Sequence, residues 1–201
     1  MSRAVVEFCM QVIAIFLVGV VIKLIDDYLD EMDESYKPND HRNACLAKRL
    51  GRGIAPYGLL LFATAVSLDA GSASTLFFAA YVVGMVKDPD LVLPTYLSAW
   101  GESLIVITIG MLLWGYPEML SSTVIMAAVQ LIDDYKDQEL DKRENRNNLV
   151  QQWGKIEVLL LIILTILISL MLDWGKSIIV LALTPLISYL FPKCPRERGV
   201  Y

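Results

Sequence analysis

The stretch VVEFCMQVIAIFLVGVVIKLIDDYLD, residues 5 to 30, carries only Glu7 and Lys23 as charges before it closes in an acidic motif. Its apolar part, residues 5–25, is as long as a helix needs to cross about 30 Å of hydrocarbon. Without water, each backbone N–H and C=O must find its partner inside the segment, so a helix is the expected form. The closing heptapeptide LIDDYLD, residues 24–30, returns almost unchanged as LIDDYKD at residues 131–137, again after an apolar run. Fold and function both turn on this pair.

The whole chain is built like its first segment. Of 201 residues, 56% are hydrophobic and only 19% charged, well outside the composition of an ordinary soluble domain. Further apolar segments fall at 54–68, 72–86, 91–114, 119–132, 156–172 and 177–191. The expected fold is therefore all-α, a polytopic membrane helical bundle of about seven transmembrane helices forming one domain over residues 1–201. The first run is longer than a secretory h-region and has no small-x-small site before its charges, so it is expected to stay as a span.

Orientation follows Lys and Arg in the loops. With the end of the first span in the cytoplasm, that side receives Lys37, Arg42, Lys48, Arg49, Arg52, Lys87, Lys136, Lys142, Arg143, Arg146, Lys155, Lys193, Arg196 and Arg198, against Arg3 and Lys176 opposite. The N-terminus is then expected outside and the C-terminus inside, in a cell (plasma) membrane, with both acidic motifs on the cytoplasmic side. Cys9, Cys45 and Cys194 show no metal-ligand spacing, and no disulfide is expected. A net charge of −5 gives no support to nucleic-acid binding.

A shift of 107 residues lays Leu24, Ile25, Asp26, Asp27, Tyr28 and Asp30 on Leu131, Ile132, Asp133, Asp134, Tyr135 and Asp137. Four expected spans separate the copies, which makes the repeat parallel. On a helix, Asp27, Asp30 and Glu34 stand at i, i+3 and i+7, as do Asp134, Asp137 and Asp141, so each trio shares a face. Asp26 and Asp133 flank them. Carboxylates at such spacing repel one another, and protonation or a bound cation must offset that. Oxygen-only ligands suit Mg²⁺, which shares one or two carboxylates with substrate phosphates. Two such clusters read as a Mg²⁺-diphosphate clamp; the same acids could equally form a solvated helix cap. The Arg- and Lys-rich loops after each motif supply counter-charge for a diphosphate, and positive-inside topology accounts for them as well.

These motifs resemble those of the UbiA superfamily of intramembrane prenyltransferases, which carry NDxxDxxxD at one cytoplasmic helix end and DxxxD four helices later, usually within nine spans. Here the first motif reads DDYLDEMDE, with Asp26 for Asn and Glu34 for the last Asp; the second reads DDYKDQELD, whose Asp137 and Asp141 match. The segments KRLGRGIAPYGLLL and DKRENRNNLVQQWGK resemble the family's passages into the next helix. Seven spans for nine, and the two substitutions, set this chain apart.

The resemblance implies a Mg²⁺-dependent prenyltransferase moving an isoprenyl group from an isoprenyl diphosphate to a lipid-soluble acceptor within membrane lipid. Asp27, Asp30, Asp134 and Asp137 would be catalytic; with Asp26, Glu34, Asp133 and Asp141 they would hold the metal. Arg49, Arg52, Lys142 and Arg146 would meet the diphosphate. Tyr28 and Tyr135 would stabilise positive charge on substrate or anchor the helices at the interface. Glu102, expected near the middle of the fourth span, would bind substrate or make a helix-helix hydrogen bond. Lys23, one turn before the first motif, would pair with its acids or snorkel to the interface. Two other classes fit the same features: a transporter or flippase for a divalent cation or phosphorylated lipid, and a non-catalytic lipid-binding membrane protein of UbiA-like fold.

Overall fold

A computed structural model describes residues 3–33, 50–86, 95–144 and 148–192. Among them every regular element is helical. The order is α1 (Arg3–Asp33), a 3-10 turn (Gly51–Gly53), α2 (Ile54–Leu68), α3 (Ala70–Met85), α4 (Ala99–Trp114), α5 (Tyr116–Glu144), the five-residue α6 (Leu149–Trp153), α7 (Lys155–Leu172) and α8 (Trp174–Leu190). Each of the seven expected apolar segments corresponds to one of the long helices, and α6 is an addition.

Two helical stretches, Arg3–Leu29 and Lys155–Leu172, are long and apolar enough to cross a membrane. The outer faces of α4 and α7 are apolar, with Leu112, Leu113, Leu164 and Met171 all exposed. The chain gathers into two compact units, Met1–Ala70 with Ala182–Tyr201, and Gly71–Leu181. In the first, Val20 and Leu24 of α1 pack with Ile187 of α8, and Leu61 of α2 lies against them. In the second, Leu131 of α5 packs with Val150, Val158 and Ile162.

Two boundaries differ from the expectation. Each helix continues past the expected end of its apolar run and through the acidic heptapeptide: α1 runs on to Asp33 and α5 to Glu144, lengths of about 46 and 43 Å at 1.5 Å per residue. Both exceed the hydrocarbon thickness and carry the acids on continuous helix. In the fourth apolar segment, in contrast, residues 95–98 are not helical and α4 starts at Ala99. Tyr96 takes φ +63, and Ser98, extended, accepts from the N–H of Gly101 at 3.2 Å as an N-cap.

The repeat reaches far beyond the heptapeptide. In α1 the buried positions include Ala14, Ile15, Val18, Val21, Leu24 and Asp27; in α5 they include Ser121, Ser122, Ile125, Ala128, Leu131 and Asp134, each 107 residues on. The second helix of each copy behaves alike at a shift of 104: α2 buries Ile54, Gly58 and Ala65, and α7 buries Val158, Ile162 and Ser169. Each then stops on Leu-Asp-x-Gly, residues 68–71 and 172–175. Asp69 (φ −148, ψ 94) donates its N–H to Ala65 O at 3.0 Å, and Asp173 (φ −152, ψ 92) to Ser169 O at 2.9 Å. A further helix follows at once, α3 or α8. Three helices thus recur, α1–α2–α3 and α5–α7–α8, with α4 between the copies.

Two glycines set sharp corners in the second unit. Gly115 between α4 and α5 has φ 89, ψ 157, and Gly154 between α6 and α7 has φ 105, ψ 156, a region effectively reserved for glycine. Gly115→Ala and Gly154→Ala should each lower stability by about 1–3 kcal/mol. Gly84→Ala, on an exposed part of α3 where a Cβ meets nothing within 4 Å, should be neutral or stabilise by up to about 1 kcal/mol. Thermal unfolding in detergent micelles measures all three.

Candidate functional site

The first motif sits on the face of α1 that also buries Val20 and Leu24. One turn before Asp27, Lys23 turns its ammonium onto the same face: Nζ lies 2.6 Å from Asp27 Oδ1 and 4.0 Å from Asp26 Oδ2. The Lys23 and Asp27 side chains are 12% and 8% exposed, whereas Asp26 is 58% exposed. Of the two readings for Lys23, pairing with the acids is the one the geometry takes. Tyr28 is half-buried.

In the second motif Asp134 occupies the place of Asp27 and is equally buried. Its Oδ1 accepts from Gln130 Nε2 at 3.2 Å, again from one turn before. Its backbone oxygen accepts from Asn148 Nδ2 at 2.8 Å, and Asn148 Oδ1 in turn caps α6 by accepting from the N–H of Val150. Asn148 therefore ties the acidic helix to the start of the next element. Tyr135 packs on the Leu131–Val158 cluster, which gives it a structural task. Asp133 and Asp137 are half-buried, and Lys136 and Lys142 are exposed.

The remaining expected site residues are reached in part. The backbones of Asp30 and Asp141 lie in α1 and α5 and that of Arg52 in the 3-10 turn, but their side chains fall outside the described residues; Glu34, Arg49 and Arg146 lie outside them entirely. Among the described residues no three carboxylate, imidazole or thiol groups gather as a metal shell. The donor chemistry nevertheless suits a hard cation: each helix offers carboxylate oxygens at helical spacing, one of them buried, and no nitrogen or sulfur ligand stands in either heptapeptide. Asp26 and Asp27 belong to the first unit, and Asp133, Asp134 and Asp137 to the second.

Glu102 is not in mid-span. Because α4 begins at Ala99, Glu102 lies in its first turn, where a carboxylate meets the positive end of the helix dipole. Tyr81 Oη and Thr95 Oγ1 donate to its two oxygens. A hydroxyl clamp of this kind joins α3 to the start of α4.

No family model, curated protein or solved structure matches the chain.

The polar centre that the sequence concealed is Lys176. Read from the loops, it is one of two cations on the outer side; in the structure it is 1% exposed. Its ammonium donates to Glu118, and to Ser121 and Ser122 Oγ at 3.2 Å each, with Asp173 Oδ2 at 3.9 Å. Ser122 extends the network by donating to Thr75 Oγ1 at 2.8 Å. Glu118 and Lys176 lie 58 residues apart, too far for any local spacing rule, though the paired serines on an apolar helix were a visible signal.

Removing one partner of a buried ion pair strands the other charge. Glu118→Ala should therefore cost on the order of 2–3 kcal/mol, less than for a fully dry pair because Glu118 is 34% exposed and Asp173 stays near. Lys176→Met should cost less, and the double variant should recover most of the Glu118→Ala loss. Denaturation of the three variants in detergent gives the comparison, and equal losses in all three would contradict it.

Proposed function

We propose that the chain is a divergent UbiA-like prenyltransferase of the membrane, transferring an isoprenyl group from an isoprenyl diphosphate to a lipid-soluble acceptor with Mg²⁺ as cofactor. The observation that carries this reading is the matched burial of Asp27 and Asp134, each held from one turn before on the same face of its helix. A solvated cap would have no reason to bury the second aspartate of both copies. In this reading the seven long helices span the membrane, the N-terminus is outside, and both motifs face the cytoplasm, as the Lys and Arg distribution requires.

Bound Mg²⁺ would neutralise charge on the diphosphate as it leaves the allylic carbon. The chain's own part is to hold and to host. Asp26, Asp27, Asp30 and Glu34 in one motif, and Asp133, Asp134, Asp137 and Asp141 in the other, would each serve as Mg²⁺ ligands; Arg49, Arg52, Lys142 and Arg146 would meet phosphate oxygens. The C–O bond breaks with its electron pair on the diphosphate, the acceptor forms the new bond to carbon, and the acceptor gives up a proton. Apolar helix centres would lodge the isoprenoid tail.

A transporter needs a polar route across the membrane. On the buried face of α5 the polar groups at Ser121–Ser122 and at Gln130–Asp134 are separated by Ile125 and Ala128, both 0% exposed. That dry stretch favours the enzyme.

The test uses purified full-length chain, labelled isoprenyl diphosphates of graded length and a membrane-lipid extract, with and without Mg²⁺. Mg²⁺-dependent diphosphate release and a prenylated lipid are expected. Asp30→Ala and Asp137→Ala should each lower the rate by about 100-fold or more. No Mg²⁺-dependent product from the wild type overturns the proposal, and Mn²⁺ uptake by sealed vesicles carrying the chain would support the transporter instead.

A further inference from the structure

All four tryptophans of the chain are exposed, and they bracket two helices of the second unit. Trp100 and Trp114 stand at the two ends of α4. Trp153, one residue before Gly154, and Trp174, one residue after Asp173, stand just beyond the two ends of α7. With 18 residues α7 is about 27 Å long, close to the thickness of a hydrocarbon layer. An indole has an apolar body and one N–H to satisfy, so it settles where an apolar layer meets a polar one.

Between these brackets the outward faces are apolar and bulky. On α7 only Val158, Ile162 and Ser169 are buried, a single stripe, and every exposed residue from Leu159 to Leu172 is Leu, Ile or Met. On α4 the small residues Ser103 and Gly110 turn inward, and a Cβ on Gly110 would lie 2.6 Å from Met119 Sδ. Helices that pair within lipid do so through small residues that let their backbones approach. The outward face of α7 offers none, and that of α4 between Leu104 and Leu113 offers only Thr108. Its hydroxyl is turned back on its own helix, donating to Leu104 O at 2.7 Å. Thr64 and Ser67 of α2, also exposed, donate likewise to Leu60 O and Ala63 O at 2.8 Å each. Back-bonding of this kind satisfies a hydroxyl where no water is at hand.

We propose that the outward faces of α4 and α7 are covered by lipid acyl chains and not by a second copy of this chain, with the four indoles at the headgroup boundaries. One long helix, α5, lies between α4 and α7 in the chain, so Trp100 and Trp153 mark one boundary and Trp114 and Trp174 the other. This rests on the membrane placement in the reading above and is independent of its chemistry. It also gives the second motif a depth. Asn148 holds Asp134 O at 2.8 Å and caps α6, and Trp153 ends that five-residue helix, about 7.5 Å on. Asp134 then stands near the boundary, at the level of a lipid-borne phosphate.

The test places the full-length chain in phosphatidylcholine vesicles brominated either near the headgroup or near the ends of the acyl chains, and reads the quenching of indole fluorescence. The wild-type tryptophans should be quenched at least about twofold more by the shallow bromines; equal or deeper quenching overturns the boundary assignment. In a chain combining Trp100→Phe, Trp114→Phe, Trp153→Phe and Trp174→Phe, a single indole introduced by Leu164→Trp or Ile109→Trp should be quenched at least about twofold more by the deep bromines. Should that background fail to fold, Leu164→Trp in the otherwise wild-type chain is read as the emission added over wild type. If neither lipid quenches Leu164→Trp and aqueous iodide has no effect either, a second copy covers α7 and the proposal is overturned. Quenching by iodide overturns it together with the membrane placement. Deep quenching in a chain that makes no Mg²⁺-dependent product supports the lipid-facing surface, and prenyl transfer alone fails.

Discussion

A carboxylate set into an apolar helix face must be compensated where it sits, because burial without a partner penalises its charge heavily. On a helix the groups available for this are one turn away. Asp27 and Asp134 both follow that rule, taking Lys23 and Gln130 from four residues before. Each motif is thereby part of its helix's packing, continuous with Leu24 or Leu131 beneath it, and its position is fixed by the same contacts that hold the unit together. The Lys176 centre meets the same demand by tertiary means, drawing Glu118, Ser121 and Ser122 from α5.

What the two copies share is a pattern of buried positions along equivalent helices. Ile54 and Val158, Gly58 and Ile162, Ala65 and Ser169 occupy equivalent buried positions with little identity between them, as expected where packing tolerates substitution that keeps patterning. Charge has diverged in a coordinated way on that common frame. Glu118, Ser121, Ser122 and Lys176 form one polar centre in the second copy; the equivalent positions in the first are Gln11, Ala14, Ile15 and Ser72, none of them charged. Among the described residues each copy therefore carries one inward lysine, at opposite ends of its acidic helix frame: Lys23 beside the motif in one, Lys176 against the far end of α5 in the other.

The helices were legible because hydropathy records solvent directly, and the heptapeptide was legible because identity there is nearly complete. The rest of the repeat was hidden by its own chemistry: the same positions are buried in both copies by residues of different size and polarity, which letters do not reveal, and the shift falls from 107 to 104 between the first and second helices of each copy. The repeated Leu-Asp-x-Gly at 68–71 and 172–175 was the available signal, and its meaning, an extended Asp that ends one helix just before the next begins, needs the backbone angles. Glu102 was misplaced because the apolar run from residue 91 is continuous in hydropathy, while the backbone starts its helix only after Tyr96 and the Ser98 cap. Hydropathy locates a segment's solvent; caps and strained residues locate its ends.

Once the ends are known, the ionisable residues of the apolar helices sort themselves. Glu102, Glu118, Glu157 and Lys176 all stand in first turns, and Lys23 stands one turn before the acids of α1. The three glutamates face the favourable end of the helix dipole. Lys176 faces the unfavourable end, which its two carboxylates offset. The centres of α2, α3, α4, α7 and α8 are therefore free of charge, and α3 and α4, at 16 residues each, are only about 24 Å long. Short, uncharged centres between polar ends fit the proposed reading, in which the chemistry lies at the rim of an apolar layer that lodges the isoprenoid tail. The position of Asp134 has the same logic: twelve residues of α5, about 18 Å, separate it from Ser122, and the buried side chains between them, Ile125, Ala128 and Leu131, are apolar.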